Sequence, residues 1–230
     1  MTRIHIDIDD TIADTTYTFL QFMEHKYKFK LNKEKLNEHA YNKIICELMK
    51  NERDYFREFE KSNFFGKVKP VKNAQKVINN LSKSNELILI SGRPLSLVNE
   101  TKKWIEKFFP NCFQEIHLVN QYPREGEEKG PKKAELCKNL NCSFSVDDDP
   151  NTAISLAELG VKVMLFTQPW NKNTKGLMGP NVIGTWKKGN VPWIKGKTHS
   201  LETRQKLSKS LKGIFLGDKH PNWKGGISEI

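Results

Sequence analysis

Apolar positions along this chain follow two alternating textures. Short strand-like segments occur at Arg3–Ile8 (RIHIDI), Glu86–Ser91 (ELILIS), Ile116–Val119, Ser143–Val146 and Val161–Phe166. The continuous apolar run of Glu86–Ser91 is too short for a helix and reads as a strand buried on both faces, and the others read as further strands. Between them, apolar residues recur at three- and four-residue spacing, which predicts helices. Phe19, Phe22 and Met23, then Ile44, Ile45, Leu48 and Met49, mark helical structure from Thr15 to about Phe65. Val71, Ala74, Val77, Ile78 and Leu81 follow Pro70 on another helix. Leu95–Phe109 is stopped by Pro110, Lys132–Leu140 is a short helix, and Thr152–Leu159 ends at Gly160. Strand alternating with helix predicts an α/β fold with a parallel sheet covered on both faces.

In such sheets ligands bind beyond the carboxyl ends of the strands. Read in order, those ends deliver Asp7 and Asp9, then Ser91, then Asp147 and Asp148. Four carboxylates on one rim repel one another and cannot be buried unpaired. One remedy is a hard divalent cation; oxygen ligands with octahedral preference point to magnesium. The alternative is an acidic rim satisfied by Lys132, Lys133 and helix N-termini.

The run Ile6-Asp7-Ile8-Asp9-Asp10-Thr11 resembles the first motif of the haloacid dehalogenase (HAD) superfamily, Asp-x-Asp-x-Thr after a strand. Leu89-Ile90-Ser91 resembles the second. A Lys at the head of a helix, then an Asp pair after a strand, resembles the third and fourth, in order across residues 3–170. The resemblance implies a Rossmann-like sheet with a small helical cap over about residues 12–66, and hydrolysis of a phosphomonoester. Asp7 would be the nucleophile and Asp9 its acid/base partner. Ser91 and Lys133 would hold phosphate oxygens; Lys133 is favoured over Lys132 because relatives carry Lys directly before Ala-Glu. Thr11, Gly92, Arg93 and Lys132 are candidate substrate contacts. Arg93 has the fork that suits phosphate, and a structural ion pair is the equal alternative. Magnesium would be held by Asp7, the backbone carbonyl of Asp9, and Asp147 or Asp148. Asp10 reads as a bystander, and Asp149, before Pro150, as a turn residue or helix cap. A third acid at Asp149 departs from the usual motif.

Arg53-Asp54-Tyr55-Phe56, Phe64-Phe65 and Lys102–Pro110 resemble the deoxyribonucleotidase branch, which implies a nucleoside monophosphate substrate. Ser91-Gly92-Arg93 and Tyr122–Gly126 resemble polynucleotide phosphatases instead, so removal of 3′-phosphates from nucleic acid ends stays open. A third possibility is a DNA-binding module whose phosphatase body is incidental.

Charge divides the chain. Of its net +11, residues 171–230 carry twelve basic and three acidic residues, and residues 1–170 carry 26 and 24. A near-neutral body with a basic extension points to a polyanionic partner. Gly196–Ser208 resembles the nuclease-associated modular DNA-binding motif. A helix is expected over Thr198–Lys212, with Lys195, Lys197, Arg204, Lys206, Lys209 and Lys212 as candidate DNA contacts. His220–Ile227 resembles the lead-in to an HNH nuclease domain, but no metal-ligand cluster follows it. No apolar run approaches the ~20 residues of a membrane span. Four scattered cysteines without a CxxC pair, and no signal-like segment, suggest reduced thiols in the cytoplasm.

Overall fold

A computed structural model describes residues 1–36, 41–123, 126–172 and 182–186. Six parallel strands form one sheet: β1 (Thr2–Ile6), β2 (Asn85–Ser91), β3 (Glu115–Leu118), β4 (Phe144–Asp147), β5 (Lys162–Phe166) and β6 (Val182–Trp186). Their order is β3-β2-β1-β4-β5-β6. The chain fills one half of the sheet outward from β1 and then returns to fill the other. The switch point therefore lies between β1 and β4, where a crevice opens beyond the strand ends.

Continuous apolar runs make β2 and β5 because both of their faces are covered. Successive side chains point to opposite sides. Leu87 and Leu89 of β2 enter one core cluster and Ile88 and Ile90 another; on β5, Met164 and Phe166 separate likewise from Val163 and Leu165. Helices α4 (Ala74–Ser82) and α5 (Val98–Phe108) cover the first face with Val77, Ile78, Leu81, Trp104 and Ile105. Helices α6 (Lys133–Asn139) and α7 (Pro150–Glu158) cover the second with Ala134, Cys137, Ala153 and Leu156. Asp149 caps α7, accepting from the backbone amides of Asn151 and Thr152.

The segment between β1 and α4 forms the helical insert, with α1 (Thr15–Tyr27), α2 (Tyr41–Met49) and α3 (Tyr55–Glu60). Its two connections meet at a neck where Ala13 bridges Pro70. The Asp14 amide donates to Lys69 O at 2.9 Å and the Val71 amide to Ile12 O at 2.8 Å. Aromatic rings fill the insert: Phe59 sits 5.5 Å from both Phe19 and Phe65, centroid to centroid. Such edge-to-face pairs add about 0.5–1.5 kcal/mol each beyond the area they bury.

Strand structure continues past Trp170, where β6 adds to the edge of the sheet beside β5. Its five residues, VIGTW, are too few and too mixed to show a period, and a backbone ladder rather than side-chain pattern holds an edge strand. The expected helix over Thr198–Lys212, and the six tail residues proposed to contact DNA, lie outside the described residues. Among the described residues, no helix is long and apolar enough to cross a membrane.

Candidate active site

Strand β1 ends at Ile6, and the chain turns at once. Ile8 O accepts the amides of Ile12 and Ala13 at 2.9 Å. This turn puts Asp7 at the switch point, where its amide donates to Val146 O of β4 at 3.0 Å. Asp147 stands at the end of β4, so the two carboxylates face each other across adjacent strands. Between them comes Lys133, the first residue of α6. Its Nζ lies 2.9 Å from Asp7 Oδ1 and 3.1 Å from Asp147 Oδ2. All three side chains are buried.

Asp7, Asp147 and Asp148 offer oxygens that all lie within 4.8 Å of one another. Asp148 accepts from Trp170 Nε1 at 3.0 Å and from Thr11 Oγ1 at 3.3 Å. Asn171 anchors the Asp148 carbonyl at 2.8 Å. Among the described residues, this group holds three buried carboxylates against one ammonium. Burial first, then the neighbouring carboxylates, raise the Asp7 carboxyl to about 6 despite Lys133. Burial likewise raises Asp147, and pushes Asp148 well above the ordinary carboxylate range. Lys133 is held well above its usual value because Asp147 and Asp7 outweigh its burial. Such a group has a surplus of negative charge and an all-oxygen donor set, which fits a hard divalent cation.

Asp9 stands apart from that group. Arg93 grips its carboxylate with both edges of the fork, Nε to Oδ2 at 2.9 Å and Nη2 to Oδ1 at 2.7 Å. Thr15 Oγ1 donates to Oδ1 at 2.6 Å. Burial opposes ionisation, but Arg93 and Thr15 outweigh it and hold the Asp9 carboxyl below the ordinary range. Arg93 itself is buried, with Nη1 on Thr101 Oγ1 at 3.1 Å and its guanidinium 5.0 Å from the Phe65 ring centroid. The structure thus gives Arg93 an ion pair rather than an open approach to substrate.

The remaining expected residues separate by geometry. Ser91 ends β2, fully buried, its Oγ accepting the Arg93 amide at 3.3 Å. Gly92 lies against Gln121, whose Oε1 would stand 3.0 Å from an added Cβ. Thr11 turns inward to Asp148. Lys132 does not join the site: it precedes α6, is 77% exposed at the side chain, and pairs with Glu135 at 3.5 Å. Consecutive residues at a helix start cannot share a direction, so Lys133 alone reaches the carboxylates.

Several partners carry no sequence signal. Lys33, from the insert, reaches Asp10 at 2.7 Å and lies 5.3 Å from the Trp170 ring centroid. Gln168 donates to the Asp10 carbonyl, and Lys172 pairs with Glu34 of the insert. Asp10, in a left-handed turn with φ 57°, is therefore a buried linker between insert, β1 turn and the loop after β5. Apart from Lys33–Asp10, 23 residues apart, these contacts span more than a hundred residues of sequence, and no local spacing announces them.

Comparison with known proteins agrees with this geometry. A HAD family hydrolase from Deinococcus radiodurans, solved with bound phosphate and sodium, superposes with TM-score 0.58 at 10% identity, covering 91% of this chain and 96% of that one. The fold is that of the HAD-type hydrolases. More narrowly, residues 1–124 match the model for 5′-nucleotidase, deoxy (pyrimidine), cytosolic type C protein, and the chain belongs to that family. A nucleotidase of Clostridium acetobutylicum is 23% identical over 170 residues, covering 74% of this chain and 82% of its own. YqfW of Bacillus subtilis, provisionally named a nucleotidase, is 24% identical over 204 residues, covering 87% and 97%. Residues 183–208 and 200–222 match the NUMOD3 motif.

Proposed function

We propose that this enzyme is a magnesium-dependent phosphomonoesterase acting on deoxynucleoside monophosphates through an aspartyl-phosphate at Asp7. One observation carries the reading: Asp7 is buried, raised in proton affinity, and cradled by Lys133 beside Asp147 and Asp148. A carboxylate with no catalytic duty is rarely concentrated with two others around one cation.

Asp7 attacks phosphorus, the bond to the leaving oxygen breaks, and protonated Asp9 supplies that oxygen with its proton. As a carboxylate, Asp9 then takes a proton from water, whose oxygen attacks phosphorus and frees Asp7 and inorganic phosphate. Arg93 and Thr15 aim Asp9 and hold its carboxylate ready to take the proton from water in the second step. Lys133 and Ser91 hold the non-bridging oxygens. Asp7, Asp147 and Asp148 would hold magnesium, which when bound would neutralise charge on the transferring phosphoryl group. The family match supports a deoxynucleotide substrate, and the aromatic insert fits a lid that sizes it. Free, mostly buried thiols fit a cytoplasmic setting.

A second reading, removal of 3′-phosphates from DNA ends, is favoured by the NUMOD3 match and the basic extension beyond the sheet. The deciding assay compares deoxynucleoside monophosphates, ribonucleotides and 3′-phosphorylated oligonucleotides with magnesium and with chelator. The first proposal expects fastest release from deoxynucleotides and none in chelator. Fastest release from oligonucleotides selects the second reading. No release from any of these overturns both.

A further inference from the structure

From Lys61 to Asn85 the chain carries six lysines and no acidic residue. The rest of residues 1–170 then holds 20 basic and 24 acidic residues, so the near-neutral balance of the body conceals one strongly basic segment. That segment is the outgoing side of the neck, the turn into α4 and α4 itself. Lys67, Lys69, Lys72 and Lys76 are all exposed.

The fold brings this segment to the end of α5. Trp104 Nε1 donates to Val68 O at 2.9 Å, and Gln75 Nε2 to Phe108 O at 3.1 Å. Phe108 is half-buried between them, and two lysines share its ring: Lys107 Nζ at 5.2 Å from the centroid and Lys69 Nζ at 5.9 Å. Lys67 Nζ lies 4.6 Å from the Phe64 centroid. Long side chains that lay their stems on aromatic surface keep their charge in water and lose little further freedom on binding. Among the described residues, none of these five lysines forms an ion pair with a carboxylate. The strip begins beside the candidate active site, because Lys69 O accepts the Asp14 amide at 2.9 Å and Phe65 stacks on Arg93.

We propose that this lysine face binds the phosphate backbone of DNA, so that the hydrolase body itself and not the basic extension alone grips nucleic acid. DNA fits better than an acidic peptide, because a duplex presents about one negative charge per ~1.7 Å of axis and can meet a whole strip at once. The extension, with twelve basic and three acidic residues, adds a second positive segment to the same chain. Rings already met by lysine ammonium groups leave phosphates, not bases, as the contacts, so binding is indifferent to sequence. The inference stands independently of which phosphomonoester is hydrolysed.

The test uses the full chain and a fluorescein-labelled duplex of about 20 base pairs, titrated at several salt concentrations. The variant replaces Lys67, Lys69, Lys72, Lys76 and Lys107 by Gln. Each phosphate contact contributes about −0.9 to the log–log salt slope, so loss of four to five contacts flattens the slope by about 4. Lys→Arg at the same five positions retains the wild-type slope. A control variant that also removes five charges, Lys28→Gln/Lys35→Gln/Lys50→Gln/Lys138→Gln/Lys162→Gln, changes the slope by less than about 1, which subtracts the effect of net charge. Unchanged hydrolysis of p-nitrophenyl phosphate shows that the five-fold variant is folded. An unchanged slope in that variant, a drop no larger than the control's, or no salt-sensitive binding by the wild type overturns the proposal.

Discussion

Replacing Lys133 by Met keeps the length of the side chain and removes its charge, leaving Asp7, Asp147 and Asp148 buried together without an ammonium. The Lys133 Nζ contacts at 2.9 and 3.1 Å are both buried, so water cannot take its place cheaply. Breaking a buried pair in this way costs about 3–5 kcal/mol. For a chain of this size that corresponds to a fall in Tm of about 6–20 °C. The deficit must depend on pH, with a definite sign. Burial and neighbouring carboxylates already raise Asp7 from 3.8 to about 6, and Lys133 is the main opposing influence. Without it the folded chain binds protons still more readily than the unfolded chain. A raised carboxyl contributes stability at low pH that is lost as pH rises through the folded value.

The variant should therefore be most impaired at pH 8 and recover relative to wild type as pH falls toward 5. Thermal or urea unfolding at both pH values measures this directly. Magnesium should raise the variant's Tm by more than it raises the wild type's, since the cation finds a site with greater unmet negative charge. A loss below about 1 kcal/mol, or the same loss at pH 5 and pH 8, refutes the reasoning, because the carboxylates would then not depend on Lys133.

Three further outcomes follow from particular contacts. Arg93→Lys keeps the charge but loses the two-edged grip on Asp9 and the Thr101 bond, so kcat should fall by about 10- to 100-fold with little change in KM; a near-normal kcat would remove Asp9 alignment from the account. His5 is buried with Nδ1 on Ser145 and Nε2 on Ile90 O, and burial followed by Lys133 lowers it from 6.5 to about 4. Folded protein thus loses up to about 3 kcal/mol as pH falls from 6.5 toward 4, and His5→Gln should flatten that dependence in denaturant titrations. Ending the chain after Trp186 should spare hydrolysis of small phosphomonoesters, whereas ending it after Lys172 removes β6 and should lower Tm; equal stability of the two would deny that strand a role.

Legibility in the sequence tracked how local each cause is. ELILIS could be read as a doubly covered strand because its two faces feed two cores, and Asp149 as a cap because Pro150 follows it. The strand-end rule brought Asp7, Ser91 and Asp147 to one edge from spacing alone. Lys133 was favoured over Lys132 through the resemblance, whereas the physical reason, the direction of a helix start, is stated by neither composition nor period. Arg93 had two readings, phosphate fork or ion pair, and only the fold selects Asp9 as its partner. Lys33, Thr15, Trp170 and Asn171 escaped notice because their partners are set by tertiary packing. Strand β6 was hidden in a Gly-, Trp- and Lys-rich stretch, where its apolar residues are too few to form a pattern.

The central claim is that Asp7 becomes phosphorylated. Asp9→Asn protein, which lacks the base for the second step, should be mixed with substrate and magnesium, acid-quenched and digested. The account predicts near-stoichiometric phosphoryl label on the peptide containing Asp7, removable by hydroxylamine and absent from the Asp7→Asn/Asp9→Asn double variant. Turnover by the wild type with no label on that peptide in the trapped variant, or label that persists when Asp7 is replaced, would contradict it.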